Sequence, residues 1–279
     1  MLERTVLTID RVRTPIAQGG PKGAQDAVVF VHGNPGPSED WDELAPRAAA
    51  FARVLTMDMP GYGRADRPRD FDYTMAGYAR HLEGILKATG VDGAHLVTHD
   101  FGGPWALQWA IEHPGRVRSL TLINTGVFIG YTWHKFARIW QTPVLGELFF
   151  LTSTETMLRL ALNADNPKPM PREFAKRVHG YADFGHARAV CRLYRATRPV
   201  DAISRAMAPK LRTIDPPTLV IWGTGDVYLP EKYATAQKEI FPRAEVHLLH
   251  RCGHWPFIDD PKAVEERLLP FLRRQWASR

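Results

Sequence analysis

Short apolar runs alternate with amphipathic stretches over the first part of the chain. Residues 27–31 are apolar at every position and run into a Gly/Pro loop, His32-Gly33-Asn34-Pro35-Gly36-Pro37, the pattern of a strand buried on both faces. Residues 53–58 form a second strand pattern, ended by Pro60-Gly61-Tyr62-Gly63. Residues 74–89 carry helical periodicity and stop at Gly90, a residue suited to a helix C-terminus. A strand over 94–98 then runs straight into His99-Asp100-Phe101-Gly102-Gly103, followed by a helix over 104–113 and a strand over 117–124. Strands separated by helices predict βαβ units and a mostly parallel sheet.

That rhythm breaks at residue 128. The next stretch, to about residue 212, is helical in pattern, rich in aromatics and punctuated by prolines. Strand patterns resume at 218–222 and 244–249. The expected organisation is therefore a core of residues 1–127 and 213–279, interrupted by a helical cap over 128–212.

Composition narrows the function classes. The 279 residues suffice for a sizeable core, and no run of about 18 apolar residues is present to cross a membrane. Cys191 and Cys252 give no disulfide framework, and the charged N-terminus does not read as a signal peptide, so a cytoplasmic setting without a membrane partner is expected. The formal charge of +6 comes from 36 basic residues set against 30 acidic ones along the whole chain, with no basic stripe interleaved with aromatics. Nucleic-acid binding is not expected. Neither a cofactor nor a metal is expected, and the oligomeric state is not legible.

The candidate chemistry centres on Asp100. A sharp strand-to-helix turn exposes a nucleophile at the top of a sheet and needs small residues two positions to either side. Thr98-His99-Asp100-Phe101-Gly102 fits that turn, with Asp100 where serine usually stands and Thr98 in place of glycine. The competing reading is an Asp that caps the following helix. Asp226, after Trp222-Gly223, and His254, in a glycine turn 28 residues later, supply an acid and a histidine in the order this architecture requires. Asp215, Asp259 and Asp260 read as loop or cap residues.

Together, His32-Gly33-Asn34-Pro35, Asp58-Met59-Pro60-Gly61-Tyr62-Gly63, His99-Asp100-Phe101-Gly102-Gly103 and Gly253-His254 resemble the α/β-hydrolase superfamily. Within it they are most similar to the aspartate-nucleophile branch of epoxide hydrolases and haloalkane dehalogenases. The resemblance implies the α/β-hydrolase fold, a small-molecule substrate (an epoxide or an alkyl halide), and a two-step reaction. Asp100 attacks a saturated carbon, and His254, held by Asp226, activates water to hydrolyse the alkyl ester. A carboxylate of pKa about 3.9 needs no base to become nucleophilic, whereas serine does. The backbone N–H groups of Asn34 and Phe101 are the oxyanion donors the resemblance implies, with Pro35 cis.

The leaving group divides the branch. An epoxide needs a proton donor in the cap, and Tyr194, in Arg192-Leu193-Tyr194-Arg195, resembles that tyrosine; Tyr131 and Tyr181 are open as a second. A halide needs N–H donors, and Asn34 stands where many dehalogenases carry one, but Phe101 has none to offer. Trp133, Trp140 and Trp105 are the possible substitutes. Epoxide hydrolysis is the leading expectation and dehalogenation the alternative. A non-catalytic binder on the same fold is a third reading.

Overall fold

The computed structural model describes residues 2–278. Eight strands form one sheet: β1 (Glu3–Ile9), β2 (Val12–Gly19), β3 (Asp26–Val31), β4 (Val54–Met57), β5 (Gly93–His99), β6 (Val117–Ile123), β7 (Thr218–Gly223) and β8 (Glu245–Leu249). Their order is β1-β2-β4-β3-β5-β6-β7-β8, with β3 to β8 parallel and β2 antiparallel to both its neighbours. The β1–β2 hairpin was not expected from the sequence. Its strands sit at one edge and β1 is largely exposed, so its residues lack the continuous apolar run that marks the central strands.

Those central strands alternate between two cores. Val29, Val31, Leu96, Val220 and Trp222 pack with the helices Met75–Ala88 and Gly102–Glu112 on one face. Val28, Phe30, Val97, Leu219 and Ile221 pack with Trp41, Leu268 and Phe271 on the other. The two-residue period of a strand sends neighbours to opposite faces, which is why a doubly covered strand reads as an unbroken apolar run.

From β3 the chain moves outward to β4, then returns to β5 on the other side of β3. The loops after β3 and β5 therefore diverge and leave a crevice at the carboxyl ends of the strands, where open α/β sheets place ligands. Six helices, the first Lys135–Gln141 and the last Val200–Ile214, fill the chain between β6 and β7. The Ser204 hydroxyl of the last accepts from the backbone N–H of Phe128, tying it to the segment that leaves β6. Among the described residues no helix is long and apolar enough to cross a membrane.

Candidate active site

Asp100 occupies the turn between β5 and the helix Gly102–Glu112, with φ of 48°, a left-handed conformation that a non-glycine residue rarely adopts. Its neighbours are shaped to it. A Cβ on Gly102 would fall 2.2 Å from the carbonyl oxygen of Val31, and one on Gly33 would fall 2.5 Å from the Cβ of Asp100. Thr98 fits in place of glycine because it is buried in β5 and donates its hydroxyl to the Thr121 carbonyl (3.0 Å). The helix begins at Gly102, two residues earlier than the sequence predicts, and no side chain caps it. That removes the reading of Asp100 as a helix cap.

The carboxylate of Asp100 faces two partners. Its Oδ1 accepts from the backbone N–H of Asn34 (2.7 Å), and its Oδ2 lies 3.4 Å from Nε2 of His254. On the far side of the imidazole, Nδ1 of His254 lies 2.7 Å from Oδ2 of Asp226. Asp226 is held by its own hydrogen bonds: Oδ1 accepts from the N–H groups of Tyr228 (2.8 Å) and Leu229 (2.9 Å), and Oδ2 from the side chain of Asn124 (2.7 Å). The three residues the sequence singles out are thus in line.

Charge follows from that line. Burial alone would hold His254 neutral, but the two carboxylates outweigh it and push its pKa up to about 10. Burial would likewise raise Asp100, and the hydrogen bond and charge of His254 instead hold it below the usual carboxylate range. His99, buried against the site, is pushed down to about 3 by burial and by the neighbouring His254. It stays neutral, and its Nε2–H donates to the His254 carbonyl (2.8 Å), fixing the backbone that carries the imidazole.

The loop after β3 is equally constrained. Nδ1 of His32 donates to the Gly33 carbonyl (2.9 Å), leaving Nε2 to accept from the N–H of Met59 (2.9 Å). The Asn34–Pro35 peptide is cis, as expected. The side-chain amide of Asn34 donates to the Tyr194 hydroxyl (3.3 Å). Phe101 packs its ring at 5.0 Å from that of Tyr194 and 6.0 Å from that of Trp133.

Asp100, His254, Asn34 and Tyr194 all line one cavity of about 270 Å³, walled mainly by apolar side chains from the helices between β6 and β7. Of the tryptophans considered above, Trp133 donates its N–H to the Thr197 carbonyl (2.9 Å), and Trp105 stacks on Tyr78 away from the cavity. Trp140 lines the cavity and its indole N–H has no partner among the described residues. Neither Tyr131 nor Tyr181 reaches the cavity: the first donates to the Tyr228 carbonyl (2.9 Å), the second to Glu39 (2.9 Å).

Three residues escaped the sequence reading. Asn124, with φ of 42°, spans Asp226 and the Gly223 N–H (2.9 Å). Its place at the end of β6 and the tolerance of Asn for left-handed backbone are the only signals. His134 and Tyr228 line the cavity, their rings 5.1 Å apart. Asp260 caps the helix Pro261–Ala277 as expected, whereas Asp259, expected in a loop or cap, ends the short helix Pro256–Asp259 and accepts from the Gly253 N–H (2.6 Å).

A parallel sheet carrying a tight turn, an acid and a histidine in this order defines an α/β-fold hydrolase. The chain belongs to the alpha/beta hydrolase fold family, which it matches over residues 26–261. Among its relatives is 2-hydroxymuconate semialdehyde hydrolase of a Pseudomonas species, 31% identical over 85% of this chain and 83% of that protein. Another is 2-hydroxy-6-oxo-2,4-heptadienoate hydrolase of Pseudomonas putida, 28% identical over 90% of each chain. In structure the chain is similar to haloalkane dehalogenase DbeA from Bradyrhizobium elkani, with a TM-score of 0.87 at 21% identity and both chains fully covered. That second likeness establishes the fold alone.

Proposed function

We propose that this hydrolase acts through Asp100 as nucleophile on a small, uncharged electrophile, an epoxide being the substrate the site suits best. The observation that carries this reading is the Asp100–His254–Asp226 line with Tyr194 joined to it through Asn34. Because Tyr194 accepts from Asn34, its own hydroxyl proton is free for the alkoxide that ring opening creates. Burial raises the pKa of Tyr194 well above its ordinary value, so the proton is in place at neutral pH.

The protons balance. Asp100 attacks the less hindered epoxide carbon and forms an alkyl ester, while the opened oxygen takes the Tyr194 proton. Esterification removes one of the two charges that hold His254 as imidazolium, so His254 gives up its proton and Tyr194 recovers one. Neutral His254 then deprotonates the water that attacks the ester carbonyl. The oxyanion rests against the Asn34 and Phe101 N–H groups. Collapse of the tetrahedral species expels the diol alkoxide. It takes the proton of the newly formed acid, restoring the Asp100 carboxylate beside a protonated His254.

The relatives named above hydrolyse a muconate semialdehyde and a dienoate, both carboxylates by name. No Lys or Arg lines this cavity among the described residues, and the one cation there, the His254 imidazolium, is already shared by Asp100 and Asp226, so an anionic substrate would add a third negative charge without a counter-ion of its own. Attack by Asp100 on an acyl carbon would also give a high-energy anhydride. Dehalogenation is the second reading, supported by the Asn34 side-chain amide in the cavity lining and by Trp140, another lining residue, whose indole N–H is buried without a partner among the described residues.

Trapping tests the shared first step. His254→Gln, mixed with panels of epoxides and alkyl halides, should accumulate a covalent adduct on Asp100 detectable by mass spectrometry. Absence of an adduct with every electrophile tried would count against the nucleophile assignment.

A further inference from the structure

Between the helices Glu155–Asp165 and Arg172–Gly180 the chain reads Asn166-Pro167-Lys168-Pro169-Met170-Pro171, with a proline at every second position. Proline fixes its own φ and holds the residue before it extended, so this strap is stiff without being helical. Asn166 is extended accordingly, at φ −121° and ψ 139°, and the Met170 N–H donates back to the Asn163 side chain (2.9 Å). The helix that leads into the strap lines the cavity with Leu158, Ala161 and Leu162.

The strap lies on the two turns that carry Asp226 and His254. Pro167 packs on both: a Cβ at Gly225 would fall 2.8 Å from its Cγ, and one at Gly253 would fall 2.8 Å from its Cδ. The turns are themselves joined, the Gly225 N–H donating to the Cys252 carbonyl (2.8 Å). Asp259 completes the contact. One of its carboxylate oxygens accepts from the Asn166 side-chain amide (2.8 Å), the other from the N–H of Gly253 (2.6 Å), the residue before His254. Lys168 adds a bond from Nζ to the Asp259 carbonyl (2.8 Å). At the near end, Asp165 accepts from the hydroxyl of Tyr228 (3.2 Å), whose backbone N–H holds Asp226 (2.8 Å).

We propose that the strap sets the aim of His254, with Asn166 and Asp259 as positioning residues for the step in which the imidazole activates water. Neither side chain lines the cavity, so both act through the backbone of the turn. Glycine is the residue with most backbone freedom, and the turn before His254 is built on one. His99 fixes the carbonyl side of His254, and the Asp259 carboxylate fixes the N–H of the glycine that precedes it. The Asn166 amide in turn holds that carboxylate, so the cavity wall and the base belong to one linkage. Attack by an ionised Asp100 needs no base, whereas hydrolysis of the ester does. Loosening the strap should therefore slow the second step and spare the first. That kinetic consequence rests on the two-step reaction proposed above; the placement of the imidazole does not.

Two variants of the full chain test this. Asn166→Ala removes the amide, and Asp259→Asn keeps the shape but turns an NH₂ group towards one of the two donors. Tyr181→Phe is the control, because it deletes a hydrogen bond from the same run of helices to Glu39, on a different loop. Imidazole NMR should show the His254 resonances displaced in both variants and unmoved in the control. Rapid-quench mass spectrometry then follows the Asp100 adduct of styrene oxide, or of whichever epoxide or halide labels His254→Gln. Adduct formation should stay within about twofold of the parent while adduct hydrolysis falls about tenfold or more, so that the adduct accumulates. Unmoved His254 resonances in both variants overturn the proposal, even if thermal unfolding is lowered, since the strap would then serve stability alone. An equal loss in the two steps overturns it as well. If no electrophile labels Asp100, the reaction proposed above fails, and the NMR comparison still decides the role of the strap.

Discussion

The side-chain amide of Asn34 lies 3.3 Å from the hydroxyl of Tyr194, joining the loop after β3 to a helix 160 residues further along the chain. The backbone N–H of the same residue holds Asp100 (2.7 Å). One asparagine therefore sets the distance between the candidate nucleophile and the candidate leaving-group donor, and its two contacts can be separated by mutation.

Tyr194→Phe removes the hydroxyl and keeps the ring packed against Phe101. If the substrate is an epoxide, ring opening should fall by roughly 10²–10⁴-fold, the usual worth of a positioned acid. Asn34→Ala keeps the backbone contact and should cost less. If the substrate is a halide, the order reverses. Pre-steady-state rates of adduct formation with matched epoxide and halide substrates distinguish the two.

Asp100→Asn deletes one of the two charges beside His254 and leaves the 2.7 Å contact to Asp226. The pKa of His254 should drop from about 10 in the parent but stay above the ordinary imidazole value. An NMR titration of the imidazole reads this directly. An unchanged pKa would remove the physical basis for proton release on esterification.

Gly33→Ala places a Cβ 2.5 Å from that of Asp100 and 2.6 Å from the His99 carbonyl oxygen. The turn must shift to accept it, and a displacement of order 1 Å at a nucleophile typically costs about 10²-fold in rate. The expected result is that loss in kcat with a native circular dichroism spectrum. Full activity would show that the loop is less tightly fitted than its geometry indicates.

Asp40 is buried in the core and meets Arg177, on the helix Arg172–Gly180, at 2.5 Å. Burial raises its pKa from 3.8 to about 7 although the guanidinium pulls the other way. The folded state then binds more protons than the unfolded state across that window, so stability should fall as pH rises from about 4 to 7. The slope is on the order of 1 kcal/mol per pH unit at most. Asp40→Asn should abolish it in urea denaturation series at several pH values, and an unaltered slope would rule out Asp40 as its source.

Much of this was written locally in the sequence. A strand covered on both faces must be apolar throughout, so the central strands were legible, and the glycines around Asp100 announce a turn too tight for side chains. The β1–β2 edge hairpin was not legible, since one exposed face blurs its pattern. The order of Asp100, Asp226 and His254 was plain from their turns, but whether they meet depends on strands pairing across the sheet.

Which donors face the cavity was decided by tertiary structure alone. Trp133 and Trp140 are alike as residues in an aromatic stretch. One has its N–H bonded to Thr197 and the other has none, because only helix packing sets who stands opposite. Asn124, His134 and Tyr228 entered the site in the same way, from positions with no motif of their own. Residue type and spacing determine the backbone and the candidate nucleophile; the polar wall around it comes from contacts between segments the chain brings together only on folding.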